Sequence, residues 1–85
     1  MKLPVIKHVT QFIAENDVDY IHETLEVLES LTEVSSLKDE ELDVLGEVIS
    51  NLYGAIEVDK EIKNGVPQKE ALNNFMKRVL GSIDK

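Results

Sequence analysis

Apolar residues recur at helical steps in four stretches of this chain, and the third stretch is the longest. Between Leu37 and Asn64, the residues Leu42, Leu45, Ile49, Leu52 and Ile56 alternate steps of three and four, the period of a helix with one buried face. A second apolar line, Val44, Val48, Ala55 and Ile62, lies beside the first. A third line, Gly46, Ser50 and Gly54, is spaced four apart and carries almost no side chain. Only an arc around Glu40, Asp43, Glu47 and Glu61 stays strongly charged. A helix apolar over more than half its circumference is expected to be enclosed by neighbours.

The other three stretches are shorter. Pro4 suits the first turn of a helix, where its missing N–H removes no bond. Val5, Ile6, Val9, Phe12 and Ile13 then share a face to about Glu15. Asn16 and Asp17 suit a break, with Asp17 placed to accept from the free N–H groups of the next helix. That helix carries Val18, Ile21, Leu25 and Leu28, with Val27, Leu31 and Val34 on a flanking line and Glu23, Glu26, Glu29 and Glu33 outside. Ser35-Ser36 breaks it, and Ser36 followed by Asp39 resembles a capping box. Asn64-Gly65 ends the third helix, since glycine accepts the left-handed conformation of a helix stop. Pro67 opens the fourth, whose apolar face is Ala71, Leu72, Phe75, Met76, Val79, Leu80 and Ile83, with Lys69, Lys77 and Arg78 outward. The expectation is an all-α, four-helix bundle-like domain over residues 1–85, with helices at about 4–15, 18–33, 37–64 and 67–83 and a long central third helix.

At 1.5 Å per residue the third helix spans about 40 Å, whereas a compact chain of this length has a radius of gyration near ~12 Å. Either the helix bends, with Gly54 the natural place, or its far half packs on another subunit. Small residues every fourth position favour close approach of a second helix, and mid-helix glycine costs ~1 kcal/mol against alanine. The Gly46–Ser50–Gly54 line therefore serves packing within one chain, a homodimer contact or a ligand cleft. The candidate packing or dimer-interface residues are Leu42, Leu45, Gly46, Ile49, Ser50, Tyr53 and Gly54.

Charge narrows the partners. The net charge is −8, and the segment from Glu15 to Glu61 holds fifteen acids against Lys38 and Lys60, a balance of −13. Residues 1–14 carry +2 and residues 62–85 carry +3. An acidic middle does not suit a nucleic-acid backbone, which needs clustered Lys and Arg; a solvated face or a protein partner with a basic surface suits it. The chain has no cysteine, which removes disulfides, thiol redox chemistry and cysteine–zinc sites. It shows no secretory apolar run at the start and no stretch near the ~20 residues a membrane span requires. A cytoplasmic protein is the expectation.

Candidate chemistry centres on His22. Asp19 lies three residues before it and Glu26 four after, so all three share a helical face. Di-metal bundles use an acid-x-x-His pair on each of two helices; here the pair occurs once, since His8 has Pro4 and Val5 at the equivalent positions. The run Asp39-Glu40-Glu41-Leu42-Asp43 lacks the central glycine of a calcium loop. No Ser/His/acid arrangement and no glycine-rich loop after a strand is present. Tyr20 and Tyr53 are expected half-buried at an edge of the core. Asn51 and Ser50 either line a small polar pocket or satisfy helix contacts.

Over nearly its full length the chain resembles a family of short bacterial proteins of unknown function. The resemblance rests on Met1-Lys2-Leu3-Pro4-Val5-Ile6-Lys7-His8, on Leu37-Lys38-Asp39-Glu40-Glu41-Leu42 with Asn51-Leu52-Tyr53-Gly54-Ala55, and on Phe75-Met76-Lys77-Arg78-Val79-Leu80-Gly81. None of these segments is a chemical signature, so it implies no activity and no cofactor. The reading is a non-enzymatic helical protein-interaction module, self-associating as a homodimer, with an acidic surface. Its alternative is a bundle that binds a metal or small ligand through Asp19, His22 and Glu26.

Overall fold

The computed structural model describes residues 2–83, with side chains through Val79. Four helices follow in order: α1 (Leu3–Glu15), α2 (Asp19–Leu31), α3 (Asp39–Lys63) and α4 (Gln68–Ile83). There is no strand among the described residues. The expected apolar positions Leu80 and Ile83 lie outside the described side chains.

Local chemistry sets the boundaries. Pro4 stands in the first turn of α1, where its fixed φ is already helical. The Asp17 carboxylate accepts from the Asp19 backbone N–H at 3.0 Å, supplying the expected cap at the start of α2. α2 stops at Leu31, two residues before the expected end, and hydroxyls of Ser30 and Thr32 turn back to the carbonyls of Val27 and Glu29. The cap of α3 also differs from expectation. Ser36 and Asp39 do not form it; the Lys38 N–H donates to the Glu41 carboxylate at 2.9 Å. The register is two residues later because glutamate reaches back where aspartate is too short, and lysine, lacking an acceptor, cannot supply the reciprocal bond. At the other end Gly65 takes φ +97°. Its N–H donates to Ile62 O at 3.0 Å, and that of Val66 to Glu61 O at 3.0 Å, the paired bonds of a Schellman stop.

The core gathers Ile6 and Ile13 of α1, Ile21 and Leu25 of α2, Leu52, Ala55, Ile56 and Val58 of α3, and Ala71, Leu72 and Phe75 of α4. Every buried residue of α3 falls between Asn51 and Asp59. Of the enclosure expected for the central helix, the chain itself supplies full burial only over Asn51–Asp59. α3 runs unbroken through Gly54 for 25 residues, about 37 Å. α1 and α2 have 13 residues each and α4 has 16, and they fully bury side chains only on its second half.

Buried polar groups are tied locally. Thr10, 2% exposed, donates its hydroxyl to Ile6 O at 2.7 Å. Asn51 accepts from the Lys2 backbone N–H at 3.0 Å, pinning the start of α1 to the middle of α3. Buried Asp59 pairs with exposed Lys63 at 2.9 Å. The molecule measures 43 × 35 × 17 Å, with a radius of gyration of 13.8 Å against ~12 Å for a compact chain of this length. It is a flat body.

Candidate interaction surface

α2 returns along α3 in the opposite direction. At one end the charges of Asp17 and Asp19 act on Lys63. Midway, the Tyr53 hydroxyl donates to the Glu29 carboxylate at 2.7 Å. At the far end Leu28 and Leu31 of α2, with Val34 and Leu37 of the connection, face Val44, Leu45 and Val48 of α3 across a groove of about 440 Å³. Glu41 is the one charged residue lining it.

The groove walls are uncovered. Leu31 is 42% exposed, Val34 43%, Val44 63% and Val48 42%. On a small chain, a contiguous patch of uncovered branched aliphatic side chains has the character of a contact surface. A second depression between Lys2, Val5, Val44, Glu47, Val48 and Asn51 continues the patch from Val48 towards α1.

The residues singled out in the sequence divide. Leu45 lines the groove. Ile49 packs against the core, and Leu42 and Ser50 are half-buried. Gly46 is exposed, and an added Cβ would meet nothing within 4 Å. Gly54 is buried: an added Cβ would stand 2.9 Å from Phe75 Cζ and 3.2 Å from Ile6 Cδ1. The small-residue line is thus not one contact: Gly54 admits α1 and α4, while Gly46 faces open space. Leu28, Leu31, Val34, Leu37, Val44 and Val48 complete the groove, and their signal in the sequence was the surplus of apolar lines beyond the stripe a surface helix needs.

Both tyrosines are more exposed than expected. The hydrogen bond to Glu29, with smaller contributions from lost hydration and the carboxylate charge, raises the Tyr53 phenol above its ordinary 10.0. The bond to Asp59 and that carboxylate's charge raise the Lys63 ammonium above 10.5, against a smaller opposing effect of lost hydration.

The metal-binding alternative finds no support in the geometry. Asp19, His22 and Glu26 are all exposed along α2, and Asp19 and Glu26 lie two turns apart, about 10 Å along the axis. No neighbouring element closes the set, and no group of three His, Cys, Asp or Glu residues suited to a metal ion occurs among the described residues. Nor is any helix among them long and apolar enough to cross a membrane.

Residues 1–84 match DUF6952, a family of unknown function. The chain belongs to this family. No curated protein and no solved structure matches it. The family assignment brings no activity, so function rests on the surface just described.

Proposed function

We propose that this DUF6952 chain is a non-enzymatic interaction module that self-associates through the groove between the end of α2 and the start of α3. The supporting observation is the uncovered aliphatic surface of Leu31, Val34, Val44 and Val48 on a flat chain whose core occupies only half of its longest helix. A second copy is the occupant that fits. Both walls belong to one hairpin, so a two-fold axis across the groove sets the α2 wall of each copy on the α3 wall of the other, an isologous contact. The groove is lined by aliphatic side chains and by one charged residue, Glu41.

The acidic residues outside the groove stay in water in such a dimer and remain available to a basic protein partner. Oxidative cross-linking tests the contact, because the chain has no cysteine of its own. Leu31→Cys and Val44→Cys chains, which such a contact sets against each other, are mixed and oxidised, with Leu31→Cys mixed with Lys69→Cys on α4 as the control. A disulfide that joins the two groove variants, without one in the Lys69→Cys mixture, supports self-association; no link between the two groove variants counts against it.

A further inference from the structure

A second uncovered apolar surface lies between α1 and the opening turns of α2. Phe12 and Tyr20 meet edge to face, with ring centroids 5.9 Å apart and planes at 81°. They stand at the protein surface rather than inside it, 40% and 57% exposed. Between them and Leu52 is a notch of about 270 Å³, lined also by His8, Val9, Ile21 and Thr24. It shares no lining residue with the α2–α3 groove, so the inference does not depend on self-association.

Tyr20 is common to the notch and to a neighbouring depression of about 320 Å³ whose other walls are Asp17, Asp19 and Glu23. No ion pair among the described residues ends on any of these three acids. Lys63 feels the charges of Asp17 and Asp19 but is held by Asp59 at 2.9 Å. An apolar, aromatic-walled recess thus adjoins three carboxylates that make no ion pair among the described residues. The two parts ask for different chemistry from one ligand: an apolar side chain to fill the notch, and cationic groups within a turn of it.

We infer that the Phe12–Tyr20 notch docks a basic amphipathic protein segment, with one aliphatic or aromatic side chain between the rings and its Lys or Arg residues over Asp17, Asp19 and Glu23. Anchors in a groove between helices are the usual way an amphipathic helix is read. The exposed tyrosine face adds attraction for a cation. Charge complementarity decides the partner class. An acidic segment would bring like charge against the carboxylates, and a neutral apolar one would leave them unused.

The probe is a short amphipathic helix of leucine and lysine, with a counterpart carrying glutamate for every lysine. Each is titrated into the isotopically labelled full chain by NMR. The expected result is amide shifts confined to α1 around Phe12 and to Asp17–Glu23 with the lysine peptide, and none with the glutamate peptide. The affinity should fall several-fold when salt is raised from low to physiological strength. It should fall about tenfold in Tyr20→Ala, the loss of one anchoring contact, and about threefold in the charge variant Asp19→Asn/Glu23→Gln, which alters only exposed side chains. Equal response to both peptides, shifts at Leu31 and Val44 instead, or no response would each overturn the assignment. The map is read residue by residue, so failure here is distinct from failure of self-association at the other groove.

Discussion

Phe75 Cζ lies 2.9 Å from the point where a Cβ on Gly54 would stand, and Ile6 Cδ1 lies 3.2 Å from it. The absent side chain is what lets α1 and α4 converge on α3. Gly54→Ala gains helix propensity of ~1 kcal/mol but must displace a buried ring, and overpacking costs ~1–3 kcal/mol. A net loss of about 1 kcal/mol is expected. Gly46→Ala, with nothing within 4 Å, should gain about 0.5–1 kcal/mol from the same propensity. Denaturant unfolding of both variants checks the opposite signs.

Asn51 couples the start of α1 to the middle of α3. Its carboxamide oxygen is the acceptor for the Lys2 N–H, and the residue is 4% exposed. Asn51→Ala leaves that N–H without its partner and should cost about 1–3 kcal/mol. Amide exchange at Lys2 should quicken as the melting temperature falls; unchanged exchange would mean that the tether is not formed in solution.

The Tyr53–Glu29 bond sets a pH dependence with a definite sign. The folded phenol titrates above its ordinary 10.0, so the folded state holds this proton more tightly than the unfolded state. The resulting stability is fully present below pH 10.0 and is lost as pH rises through the raised folded value. Glu29→Gln removes the carboxylate's charge and should bring the Tyr53 titration down towards 10.0. Tyrosinate absorbance of the variant against wild type checks the direction.

Salt should separate the two surfaces. Copies of a chain with net charge −8 repel, while the α2–α3 groove is aliphatic. Self-association is therefore expected to tighten as salt screens that repulsion, the reverse of a contact made through Asp17, Asp19 and Glu23. Sedimentation at low and high ionic strength reads the sign.

Much of this fold is legible in the sequence, because the period of apolar residues identifies helices and their faces. The four helices fall within about two residues of expectation, and Asn64-Gly65 stops α3 as its residue types require. Which neighbour covers a face is a tertiary matter that periodicity does not carry. Gly46 and Gly54 belong to one line of the sequence, yet only Gly54 meets side chains from α1 and α4. Leu31 and Val44 were visible as flanking apolar lines, but not as opposite walls of one uncovered groove. Asp19, His22 and Glu26 do share a face, and that face points to solvent without a second element to complete a ligand set.

Light scattering behind gel filtration tests self-association most directly, on the wild-type chain loaded at high and at low concentration beside Leu31→Asp/Val44→Asp. Both substituted side chains are uncovered, 42% and 63% exposed, so the double variant should keep its helical circular dichroism. The expected result is twice the 9.6 kDa chain mass for wild type, surviving dilution, and the single-chain mass for the variant. A wild-type chain that stays at 9.6 kDa at the highest concentration would contradict self-association through the α2–α3 groove.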